Sequence, residues 1–278
     1  MFKKFIPMSV FKKLNTSVFF KKNIFTKRQR FAVAVLILSV CLFFVEHFLT
    51  RSGIYFVFLL AFLTDGFLYW ALRKDLKGNF TPQVFILPFL YTLAFGLFYF
   101  SLPPRLLVQT FLTILYSIGL YSAFLSQNIF TISSVRTIAL LSSARTVSYV
   151  LSIFIYAFFT NTVFSSQLSF FIILPLIFAY SFLLIVHSLW TYTLEKRVKT
   201  EIIWGLFLST ALTQMSFLLW FWPSKPLVIS LFLTGFYYII VGLAHLWFEK
   251  RLFKSVLWEY IWVAVFVFIV LVVFTSWT

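Results

Sequence analysis

Apolar residues fill this sequence in runs of about twenty, separated by short polar or basic breaks. At 1.5 Å of rise per residue, a helical run of about that length crosses about 30 Å of hydrocarbon. Nine such runs are predicted, over 31–50, 53–72, 83–102, 106–125, 138–160, 168–190, 202–222, 227–248 and 259–277. Turn-forming residues mark the breaks at Ser52-Gly53, Gly78-Asn79, Pro103-Pro104 and Pro223 to Pro226. The fifth run is the least regular, because Arg145 and a Ser/Thr-rich stretch from Ser126 to Ser148 cut into it, and without it eight spans remain. That stretch fits the end of a long tilted helix or an interfacial helix. The expected fold is all-α, a polytopic transmembrane helical bundle of about nine spans. Residues 1–30 form a basic tail, and 31–278 form one transmembrane domain.

Charge orients the bundle. With the N-terminus in the cytoplasm, the inner segments carry 19 Lys/Arg and the outer turns carry three, Arg51, Arg105 and Lys225. The positive-inside rule then gives a cytoplasmic N-terminus and an outer C-terminus. All nine Trp, Trp190 among them, fall near proposed span ends and are read as interfacial anchors. Pro88 and Pro175 lie inside spans, where each should remove a backbone hydrogen bond and kink its helix.

Composition excludes other classes. The chain is 62% hydrophobic and 11% charged, too apolar to cover itself with polar side chains in water. The single cysteine, Cys41, excludes a disulfide scaffold. Eight Gly in 278 residues are few for closely packed or broken transmembrane helices, which argues against a transporter built on unwound segments. The tail repeats Phe-Lys-Lys every nine residues, so Lys3, Lys4, Lys12, Lys13, Lys21 and Lys22 are candidate contacts for anionic lipid headgroups. The basic charge is read as facing lipid, and no nucleic-acid partner is expected. Inner loops recur about every 60 residues, as an ancient hairpin duplication would leave them.

Ionisable residues inside spans are the natural functional candidates. Asp65 and Arg145 count to similar depth from independent loops, which suggests an ion pair, and His187 and Gln214 fall near the same level. These four are the candidate polar cluster. Glu46 and His47 lie near the outer surface and read as an interfacial anchor. Metal and catalytic signatures are missing: there is no HExxH, no GxSxG, no Walker loop and no paired Asp motif facing the cytoplasm. No cofactor, metal or catalytic residue is expected.

The stretch Ser126-Gln-Asn-Ile-Phe-Thr-Ile-Ser-Ser-Val-Arg136-Thr-Ile-Ala-Leu-Leu, with Leu72-Arg-Lys-Asp-Leu-Lys-Gly78, resembles an uncharacterised multi-pass inner-membrane family of small-genome bacteria. A hydrophobic chain without a large outer loop fits a bacterial or archaeal cytoplasmic membrane, and the resemblance implies a bacterial one and transfers no catalytic residue. Three functions stay open. The first is a non-enzymatic membrane scaffold or assembly partner, working with a membrane protein or with further copies of itself. The second is a small permease or flippase using the polar cluster. The third, and weakest, is a lipid-linked enzyme.

Overall fold

The computed structural model describes residues 26–49, 53–76, 81–102, 105–134, 139–195 and 198–275. The six candidate tail lysines lie outside the described residues. Nine helices run in chain order among them: α1 Lys27–Phe48, α2 Gly53–Leu76, α3 Gln83–Tyr99, α4 Leu106–Ser133, α5 Leu141–Ser165, α6 Phe170–Thr193, α7 Lys199–Trp220, α8 Pro226–Phe248 and α9 Lys254–Val273. Eight are long and apolar enough to cross a membrane. The ninth, α3, has 17 residues. Large apolar side chains such as Phe111, Phe207 and Phe266 stand exposed all around the bundle. A soluble protein does not present such a surface, and the chain reads as membrane-spanning.

Helix is the only open structure whose backbone satisfies itself in hydrocarbon. Local polar side chains follow the same rule, since Ser39, Thr64 and Thr131 donate to the carbonyls of Val35, Leu60 and Gln127 one turn back. At the start of α1, Gln29 reaches back to accept the Thr26 N–H at 2.8 Å. Pro226 opens α8 at its first turn, where a missing N–H costs nothing. Pro88 and Pro175 lie inside helices that run on through them.

The helices pack as two groups. In the first, α1 lies against α2 and α4, and α3 lies against α2 and α4. In the second, α5 pairs with α8, α6 with α7, and α9 mainly with α8. The groups join where α5 meets α3 and α4, and where α6 meets α3. The short α3 is therefore central, and it buries twelve residues along nearly its whole circumference. Peripheral α9 buries only Leu271 and is apolar on every side, as a lipid-bathed helix should be.

Glycines sit at helix crossings. A Cβ on Gly119 would come within 2.0 Å of the Tyr91 hydroxyl, and one on Gly205 within 2.6 Å of Val186. Few as they are, these glycines set the approach of α3 to α4 and of α6 to α7. The polar stretch 126–148 splits between the end of α4 and the start of α5, with neither helix lying apart from the bundle. Trp190 departs from the interfacial expectation. It is fully buried and donates its indole N–H to the Glu195 carbonyl at 3.2 Å.

Candidate functional site

One end of the bundle carries Lys27, Arg73, Arg145, Lys199 and Arg251, and here it is called the basic end. Just inside it lies a layer of buried polar side chains centred on His187 of α6. The imidazole is fully buried. Its Nδ1–H donates to the Gln83 carbonyl of α3 at 2.9 Å. Nε2 is then the acceptor, and it faces the Ser148 hydroxyl of α5 at 3.3 Å and the Gln127 amide nitrogen of α4 at 3.4 Å. A single neutral ring thus joins four helices from both groups. The Trp190 indole packs beside it, with centroids 5.9 Å apart, and Phe130 meets the far edge of that indole.

A second imidazole follows on α8. The Ser188 hydroxyl sits 2.8 Å from His245 Nε2. Tyr192 stacks on the His245 ring at 4.2 Å and Tyr149 meets it edge-on at 4.9 Å. Tyr149 in turn donates to the Tyr238 carbonyl at 2.7 Å.

Arg145, in the first turns of α5, closes this layer at the basic end. Nε donates to the Thr191 carbonyl at 2.9 Å and Nη2 to the Tyr192 carbonyl at 3.1 Å. Both carbonyls belong to the last turn of α6, where the helix leaves acceptors unused and its dipole favours a cation. Leu194 ends that helix in the left-handed region, φ 52°, and returns its N–H to the Trp190 carbonyl. The guanidinium covers the Tyr192 ring at 4.6 Å and stands 3.7 Å from Glu249 of α8. Arg251 reaches the other Glu249 oxygen at 3.8 Å. Nearby, Glu201 in the first turn of α7 is buried and accepts the Thr193 hydroxyl, tying α7 to the end of α6.

The four candidate residues are not brought together. His187 and Arg145 lie in this layer, one turn apart along α6. Asp65 does not meet Arg145, and the expected pair is corrected. The sequence count placed Arg145 deep inside the fifth span, but α5 starts at Leu141, so Arg145 reaches the end of α6 and Glu249 instead. Asp65 lies on α2 in the other group, and its Oδ1 is buried without a hydrogen-bond partner. Gln214 is exposed on α7, in an open groove it shares with Pro175, Phe178 and Phe217. Among the described residues no His, Cys, Asp and Glu gather as metal ligands.

The sequence reading missed Gln83, Gln127, Ser188, Tyr149, Tyr192 and Glu249. Gln127 carried a usable signal, as one of a pair of neighbouring amides, Gln127 and Asn128, in an apolar helix. The Gln83 contribution is a backbone carbonyl and left no signal. Elsewhere, Lys27 of α1 bonds Asp75 of α2 and, at 3.1 Å, Asn128 of α4. At the opposite end, His47 of α1 faces Gln109 of α4 at 3.3 Å, beside a buried Glu46 whose Oε2 has no hydrogen-bond partner.

The model of a protein family of unknown function, DUF5656, matches residues 31–274, from the first turns of α1 to the end of α9. The chain belongs to the DUF5656 family. Neither a curated protein nor a solved structure matches it. The DUF5656 match takes in every residue of the His187 layer, so that layer lies wholly within the family's domain.

Proposed function

We propose that this DUF5656 chain is a non-enzymatic scaffold or assembly partner of the bacterial cytoplasmic membrane, crossing it nine times with the N-terminus inside. The 19-to-3 distribution of basic residues supports the orientation. The central, protein-covered position of α3 supports a ninth crossing despite its length of 17 residues, about 26 Å of rise. One observation carries the scaffold reading. Both nitrogens of His187 are engaged in holding α3, α4 and α5 to α6, so the intramembrane histidine works as cement. Arg145 is likewise held by helix-end carbonyls and Glu249.

The permease reading keeps one observation of its own, the buried carboxylate oxygens of Glu46 and Asp65 without partners. Reconstitution separates the two. Purified chain in sealed vesicles is expected to leave proton, sodium and amine fluxes at the empty-vesicle level, while a membrane protein co-purifies in fixed ratio from native membranes. Flux abolished by Asp65→Asn would replace the scaffold with the permease. The tail lysines are assigned to anionic lipid. A peptide of residues 1–30 should bind anionic vesicles and release as salt rises. Equal binding to neutral vesicles would remove that assignment.

A further inference from the structure

We propose that the exposed seam Phe58–Phe62–Asp65–Tyr69 of α2 is the docking face for a transmembrane helix of a partner protein bearing one Lys or Arg at mid-depth. This inference rests on the scaffold reading and names the chemistry of its partner. The four residues follow at spacings of four, three and four, the repeat of a helix–helix seam. Phe58 is 44% exposed, Phe62 66% and Tyr69 47%, so no described helix covers them fully. Beside them Gly66 is exposed, and a Cβ added there would meet nothing within 4 Å. A flat glycine step next to bulky rings lets a second helix approach closely.

Asp65 decides the occupant. It lies twelve residues after Gly53 and eleven before Leu76, at the middle of α2. Asp65 is partly exposed on this face, its Oδ1 is turned into the chain without a hydrogen-bond partner, and none of the ion pairs among the described residues includes it. Lipid tails can cover the phenylalanines but give the carboxyl oxygen no donor. A second copy of the chain fails for a different reason. Arg145 is the one Lys or Arg within the nine apolar runs, and it is already held at the end of α6. A second copy therefore has no free mid-depth cation to offer Asp65. A partner helix with a central cation supplies both the donor and the opposite charge.

Cys41 is exposed on α1 and is the only cysteine, so the full chain takes one fluorescent donor without further engineering. The probe is an acceptor-labelled Leu/Ala transmembrane peptide with Lys at its centre, mixed with the chain in neutral-lipid vesicles. Its control has Leu at the centre. The Lys peptide should quench the donor at about tenfold lower mole fraction than the control. Asp65→Asn should erase that difference, and Gly66→Leu should weaken docking of both peptides. Asp65→Lys should turn the preference toward a peptide with central Glu, which rescues the proposal if Asp65→Asn folds poorly. Equal quenching by Lys and Leu peptides overturns the proposal. So does Asp65-dependent energy transfer between two labelled copies of the chain, which would make a second copy the occupant. Neither failure touches the scaffold reading, which stands or falls on flux.

Discussion

Two intramembrane charges, Arg145 in the second helix group and Asp65 in the first, are treated in opposite ways. In α5–α9, Arg145 finds two carbonyls, an aromatic face and a carboxylate, and His187 and His245 find hydroxyl, amide or carbonyl partners. In α1–α4, hydroxyls satisfy one another, with Thr92 bridging Thr64 at 3.0 Å and Tyr116 at 3.1 Å. Asp65 finds no such partner, since its Oδ1 is buried and unpartnered, and one carboxylate oxygen each of Glu46 in this group and Glu201 in the other is left the same way. What differs is helix ends. The C-terminus of α6 offers free carbonyls within reach of an Arg on α5, whereas Asp65 sits at mid-helix, where neighbouring N–H groups are already bonded. An arginine near a helix C-terminus is absorbed by free carbonyls, and a mid-helix carboxylate waits for a side-chain partner.

The largest expected effect is at the joint between the groups. His187→Leu leaves Gln127 and Ser148 without their acceptor and frees the bond to Gln83. Orphaned buried groups cost about 1–3 kcal/mol each in water-based data, and bonds between membrane helices average about 0.6. A loss of about 2–4 kcal/mol in unfolding from detergent micelles is expected. A loss below about 0.5 kcal/mol would mean that His187 does not hold the groups together.

Gly119→Ala should come next, at about 1–3 kcal/mol, because the new methyl must displace the Tyr91 hydroxyl. Gly66→Ala on the same group should be neutral or stabilising by up to about 1 kcal/mol, since its site is open and Ala is the better helix former. Equal effects at the two glycines would show that the α3–α4 crossing is looser than its geometry.

The smallest effect is expected at Lys27. Its pair with Asp75 is about one-third exposed, and such pairs contribute about 0–1 kcal/mol. Lys27→Met should lower thermal stability slightly at low salt and not at all at high salt. A large salt-independent loss would make this contact part of the buried core.

Most of the architecture was legible before any coordinates. Apolar run length alone placed every helix to within about eight residues, because a lipid solvent leaves a helix no other way to satisfy its backbone. The largest error is at α4, which runs on to Ser133 past the expected 125. There Ser126, Thr131 and Ser133 lowered the hydropathy without breaking the helix, since Ser126 and Thr131 bond back to carbonyls one turn earlier. The site was legible in part. His187 and Arg145 stood out as ionisable residues in apolar runs. Their partners did not, because carbonyls such as those of Gln83, Thr191 and Tyr192 look alike in any sequence. The Asp65–Arg145 pairing failed because depth matching fixes one coordinate and leaves the position around the bundle open.

The central claim is that Arg145 belongs to the α5–α8 network and that Asp65 stands alone. The most direct test is a double-mutant cycle of Asp65→Asn and Arg145→Gln on the purified chain in detergent, read as thermal stability. Arg145→Gln alone should destabilise by about 1–3 kcal/mol, through two lost charge-assisted hydrogen bonds and the loss of one of the two cations beside Glu249. Asp65→Asn alone should leave stability unchanged or raise it, because an unpaired buried carboxylate is removed. The double variant should then equal the sum of the two within about 0.5 kcal/mol. A double variant that recovers most of the Arg145→Gln loss would show that the two residues share a charge pair, and would contradict the separation of the two groups.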